Sequence, residues 1–153
     1  MNSTSPALRV KILPAIVAGG LIAGSVDLTL AFLSFGSRMP QGIAAGLLGP
    51  RTAFQGGAAT WILGVLLHYF IAFAAASVYC LASLRLTFLE EHYLVCGLFY
   101  GMGLYLVMNL IVLPISAIHA MGPYPYRDLV QGLLVHMILI GVPIAFCLRR
   151  FSQ

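Results

Sequence analysis

Charge is what this sequence has least of. Only 8% of its 153 residues are Asp, Glu, Lys or Arg, and just four of them are acidic. With 61% hydrophobic residues and a mean hydropathy of +1.00, the composition excludes a soluble globular domain. Cysteine is scarce as well. Cys80, Cys96 and Cys147 cannot all pair with one another, and none has metal-ligand spacing, so they read as small apolar packing residues. There is no phosphate-binding loop, no HExxH and no nucleophile elbow, which removes the familiar signatures of soluble enzymes. Ser25, Ser34, Ser77 and Ser116 sit among apolar residues with no base at an informative spacing, which points to hydrogen bonding with the helix backbone rather than to a hydrolase. The formal net charge of +4 does not mark a nucleic-acid binder, because the eight basic residues are scattered at the ends of apolar runs.

Those runs are what the sequence does contain. Lys11 to Arg38 is interrupted only by Asp27, while Arg51 to Arg85, Glu91 to Arg127 and Asp128 to Arg149 hold no Asp, Glu, Lys or Arg between their ends. A spanning helix needs about 20 mainly apolar residues, so four windows predict four transmembrane helices. A membrane barrel would alternate in polarity, and these runs are continuous. The expected fold is an all-α, polytopic four-transmembrane-helix bundle forming a single membrane domain over 1–153, with helices at about 10–35, 58–84, 93–117 and 129–148. Met1 to Ala7 reads as a short polar lead-in. The first apolar run has the outline of a signal peptide but is too long, carries Asp27 and lacks a convincing cleavage site, so it is expected to remain as the first helix. Residues 40–50 are apolar, too short to span, and bounded by Pro40 and Pro50. They predict a short outer helix, re-entrant or interfacial. Pro123-Tyr-Pro-Tyr126 predicts a stiff aromatic connection at the membrane boundary.

Arg9, Lys11, Arg85, Arg149 and Arg150 fall on the side of both termini, against Arg38, Arg51 and Arg127 on the other. This bias predicts both termini in the cytoplasm.

Inside the apolar runs, Gly64-Val-Leu-Leu-His68 recurs as Gly132-Leu-Leu-Val-His136. An ionisable side chain at such a position is a functional-site hypothesis by default. At 1.5 Å per residue, Asp27, His68, Asn109 and His136 all fall about 12 to 15 Å below the outer boundary, one polar group per helix. Laying Asp27 on Asn109 brings Gly19 onto Gly101, and laying His68 on His136 brings Gly64 onto Gly132, the pattern of a weak parallel repeat. Gly20, Gly24, Gly64, Gly101 and Gly132 are the expected helix-packing glycines.

Several uses of this layer compete. Asp27 with His68, and Asn109 with His136, would serve as interhelical hydrogen bonds holding the bundle. The same groups would also bind or pass a proton in a small transport protein. An accessory subunit of a larger membrane complex, or a homo-oligomer, fits a chain with no soluble portion large enough to fold. The alternative is a b-type haem held by His68 and His136, with Gly64 and Gly132 leaving space and Arg38, Arg51 and Arg127 near the propionates.

Gly20-Leu-Ile-Ala-Gly-Ser-Val-Asp27, Gly46-Leu-Leu-Gly49, Met108-Asn-Leu-Ile-Val-Leu-Pro-Ile-Ser-Ala117 and the leucine-rich segment ending at His136 together resemble a family of small four-helix bacterial inner-membrane proteins. The resemblance covers most of the chain. It implies the fold and a bacterial inner-membrane location, and brings no activity with it.

Overall fold

With no water in the bilayer core to bond backbone groups, an apolar run of this length has to satisfy them within itself, as a helix. The computed structural model describes residues 6–120, 122 and 125–152, with side chains from Ile12 onward. In chain order it contains α1 (Pro6–Phe35), α2 (Met39–Leu48), α3 (Pro50–Gln55), α4 (Gly57–Ser83), α5 (Phe88–Glu91), α6 (Tyr93–Ile115) and α7 (Tyr126–Ser152). No strand occurs among the described residues. The four long helices α1, α4, α6 and α7 are each apolar and long enough to cross a membrane, which makes the chain a multi-pass, all-α membrane protein. The expected polar lead-in falls largely on residues 1–5, outside the described residues, as do Pro123 and Tyr124 of the aromatic connection.

Glycine decides which helices touch. On α1, Gly20 and Gly24 receive Phe73, Tyr69 and Ala72 of α4, whereas Gly19 lies against Ile144 and Cys147 of α7. Between α6 and α7 the approach is backbone to backbone. A Cβ on Gly101 would overlap the His136 carbonyl, and one on Gly141 would overlap the Gly97 carbonyl. Helix α1 therefore lies between α4 and α7, and α6 packs on the far side of α7. Toward the end that carries the termini, Ala15, Ala23, Ala75, Ala76, Cys80, Ile144, Ala145 and Leu148 close the interior around Tyr79. Two tyrosines join α4 to α5 and α6 there. Tyr100 donates to the Ala75 carbonyl at 2.6 Å, Tyr79 donates to the Leu89 carbonyl at 3.1 Å, and their ring centroids lie 4.9 Å apart. Arg149 then ties α7 to the carbonyl end of α5, donating to Glu90 O at 3.0 Å and Glu91 O at 3.3 Å across the Tyr93 ring, where a helix C-terminus favours a cation. All three cysteines are free thiols, with Cys80 and Cys147 buried.

At the opposite end α2 crosses the bundle. Gly36 and Gly49, at φ +81° and +78°, make the two sharp turns that let the short helix start and stop. The Pro40 carbonyl sits directly on Gly64, about 10 Å along α4 from its first residue. Ala44 and Ala45 bury themselves with Ala53, Leu63 and Ile118. The other end of α2 meets the segment leaving α6, where Ala117 N–H donates to Gly46 O at 2.8 Å.

Two irregularities break the long helices. Met108–Val112 in α6 and His136–Gly141 in α7 are π turns, with Leu113 N–H reaching back to Met108 O and Val142 N–H to Met137 O. Each is followed two residues on by a proline, Pro114 or Pro143. A proline has no N–H to donate and its ring crowds the carbonyl four residues back, so the preceding turn widens.

The contrast between two glycines on α6 gives a test. Gly101→Val should destabilise the protein by at least about 2 kcal/mol, lowering the temperature at which its monodisperse peak in mild detergent is lost. Gly103→Ala, where a Cβ would meet nothing within 4 Å, should stay within about 0.5 kcal/mol of wild type. Equal behaviour of the two variants would contradict the α6–α7 contact.

Candidate functional site: the intramembrane polar layer

The four polar residues are carried by four helices, but the bonds they make differ from the expected pairs. His68 Nε2 lies 2.8 Å from the Gly24 carbonyl of α1. A carbonyl only accepts, so Nε2 carries the proton, and Nδ1 has no hydrogen bond among the described residues. The bond is possible because Gly24 lets α4 approach so closely. The next residue repeats the link one step out: Tyr69 OH and Ser25 Oγ are 2.9 Å apart, and the His68 and Tyr69 rings meet edge to face.

In the second pair of helices each polar side chain bonds its own backbone. Asn109 donates to Tyr105 O at 2.9 Å, and His136 Nδ1–H donates to Gly132 O at 2.9 Å. Tyr105 connects them, since its ring also stands 5.3 Å from the His136 ring at 70° and fills the space above Gly132. Here the proton is on Nδ1, and Nε2 has no hydrogen bond among the described residues. The two histidines are thus anchored through opposite nitrogens. Ser77 and Ser116 likewise donate to carbonyls of their own helices, Phe73 and Leu113.

Asp27 is different. Among the described residues no hydrogen bond or ion pair reaches it, and it is neither fully buried nor fully exposed. Its direction follows from its neighbours on α1. At about 100° per residue, Asp27 lies about 80° around the helix from Gly19, which faces α7, and about 60° from Gly24, which faces α4. The carboxylate therefore projects between the two partners rather than toward lipid. Its level also follows. Gly19 is opposite Ile144, so eight residues along α1 and eight back along α7 bring Asp27 level with His136. One turn separates Asp27 from Gly24, the acceptor for His68. At this level Asp27 has no hydrogen bond among the described residues; His68 is bonded one turn away at Gly24, whereas the His136 ring stands against Tyr105 of α6. No three His, Cys, Asp or Glu side chains among the described residues come together closely enough to hold a metal ion.

The five candidate glycines all lie at close approaches: Gly20 and Gly24 against aromatic rings of α4, Gly64 under Pro40, Gly101 under the backbone of His136, and Gly132 under Tyr105. The repeat register does not extend to these contacts, because Gly101 meets the histidine helix of its own half while Gly19 faces α7 and not α4. Arg38, Arg51 and Arg127 are all exposed and none joins the layer. Tyr69 and Tyr105, not singled out as site residues on sequence, turn out to frame the histidines. Their one signal is position: Tyr69 directly follows His68, and Tyr105 precedes Asn109 by one turn.

These surroundings do not fit a haem. The space expected beside Gly64 is occupied by the Pro40 carbonyl and that beside Gly132 by the Tyr105 ring, while the Nε2 of His68 is committed to Gly24. Protein purified in mild detergent from haem-replete cells should therefore show no Soret band before or after dithionite. A band lost on His68→Leu or His136→Leu would contradict this. Compared with known proteins, the chain matches no family model, no curated protein and no solved structure.

Proposed function

We propose that the chain is a small, non-enzymatic transport protein of the bacterial inner membrane, with both termini cytoplasmic, that binds and passes protons through the Asp27, His68, His136 layer. The observation that supports this reading is the position of Asp27. A carboxylate at membrane depth costs about 3 kcal/mol even on a lenient insertion scale, and structural carboxylates offset that cost with hydrogen bonds. Asp27 has none among the described residues, yet it projects between α4 and α7, at the level of two imidazoles that each keep one nitrogen without a hydrogen bond among the described residues. Groups placed in this way exchange protons more readily than groups locked in a bonded pair. The cytoplasmic placement of the termini rests on the five basic residues on that side against three on the other.

An accessory-subunit role has one observation in its favour. Helix α6 is the least buried of the four spans and presents most of its apolar surface outward, including Phe99, Leu110 and Ile115. Retention of a stoichiometric partner through mild detergent purification would identify that role.

The transport reading is tested in proteoliposomes carrying an entrapped pH indicator, with a potassium diffusion potential as the driving force. Wild-type protein should give proton entry clearly above empty liposomes. Asp27→Asn should reduce it at least about tenfold while leaving the elution profile in detergent unchanged. Flux equal to that of empty liposomes, or an undiminished flux in Asp27→Asn, would overturn the proposal.

A further inference from the structure

A second polar site lies away from the layer, at the end of the bundle opposite the termini. Ser37, Arg38, Gln41, Gly57, Ala58, Trp61 and Ile62 line a shallow cavity of about 620 Å3 that is widely open to the surroundings. Its wall is well fixed. Trp61 Nε1–H donates to Ser37 O at 3.0 Å, and the Trp61 ring packs near Phe32 with centroids 6.1 Å apart. Gln41 is only 8% exposed, and its amide donates a single 3.3 Å bond to Gly57 O. The second amide N–H of Gln41 thus has no partner among the described residues, a costly omission for so buried a group. Arg38 is exposed, and its guanidinium makes no hydrogen bond or ion pair among the described residues. No Asp or Glu lines the cavity.

The position relative to the membrane adds the second half of the argument. Arg38 follows the end of α1, and Gly57 is the first residue of α4, so the cavity sits where two spans emerge from the bilayer. Tryptophan and arginine both favour this level. Directly below it on α4, Ile62, Leu66 and Phe70 recur every four residues and are among the most exposed apolar side chains, forming a stripe about 12 Å long. A cationic, donor-rich cavity above an apolar stripe matches a molecule with an anionic head and a hydrocarbon tail.

We propose that this cavity binds the phosphate of a phospholipid headgroup, with Arg38 as the charged donor, the free Gln41 N–H as the second donor, and an acyl chain along Ile62, Leu66 and Phe70. Guanidinium and phosphate form charge-assisted hydrogen bonds roughly twice as strong as neutral ones. Binding here is independent of proton passage through the layer.

Trp61 is the single tryptophan of the chain, so its fluorescence reports on this cavity alone. Full-length protein in mild detergent is titrated with phosphatidylglycerol brominated on its acyl chains, and in parallel with a diacylglycerol bearing the same chains. Expected is saturable quenching by the phospholipid and only weak, non-saturating quenching by the diacylglycerol. Arg38→Gln should raise the half-saturating concentration about tenfold, and Arg51→Gln, outside the cavity, should leave it unchanged. Equal quenching by both lipids, or an Arg38→Gln titration matching wild type, would overturn the proposal. Complete relief of quenching by millimolar inorganic phosphate would assign the cavity to free phosphate and overturn the lipid assignment.

Discussion

The bundle depends on helices meeting at glycine. Lipid tails are as apolar as leucine, so burial of apolar side chains gives membrane helices little reason to prefer one another, and close van der Waals packing takes its place. Gly101 and Gly141 bring the α6 and α7 backbones into contact, Gly20 and Gly24 admit the aromatic side of α4, and Gly64 seats Pro40 of α2. The polar layer follows from these contacts. His68 reaches a backbone carbonyl of another helix only because that carbonyl belongs to Gly24. Asp27 is directed inward because it lies between the glycine that faces α7 and those that face α4.

The two π turns place further polarity at the same depth. One includes Asn109 and the other begins at His136, so the helices of the second half are widened where their polar side chains sit. Such turns carry strained backbone hydrogen bonding and occur frequently at functional sites. Here the prolines two residues past the last π residue account for them, and the polar side chains share the disturbed segment. The first half has no counterpart among the described residues, which leaves its polarity to a histidine bonded across helices and a carboxylate bonded to nothing described.

The fold was legible in the sequence to the extent that charge marks it. Gaps between charged residues located all four spans, and Pro40, Gly49 and Pro50 marked the short outer helix, because lipid leaves a long apolar run no alternative to a helix. The ends moved by a few residues: α7 starts at Tyr126 and not near 129, and α6 stops at Ile115. The extra turn Pro50–Gln55 was not foreseen. In the layer, residue counting put one polar group on each long helix, whereas it gave no hydrogen-bond partners. Spacing along one helix says nothing of the rotation of its neighbour, and a backbone carbonyl such as Gly24 O leaves no mark in a sequence. The roles of Tyr69 and Tyr105 were hidden for the same reason, since tyrosine in an apolar run reads equally as packing or as an interfacial anchor.

The central structural claim is that His68 and His136 are anchored through opposite ring nitrogens, which leaves Nδ1 of one and Nε2 of the other without a hydrogen bond among the described residues. Nitrogen-15 NMR of histidine-labelled protein in lipid bilayers reads this directly. The two residues would be assigned by His68→Gln and His136→Gln, at pH about 9, well above the usual imidazole value. A protonated Nε2 for His68 and a protonated Nδ1 for His136 are expected. The same tautomer at both residues, or a His68 signal unchanged when Gly24→Leu displaces α4, would contradict the placement of the layer.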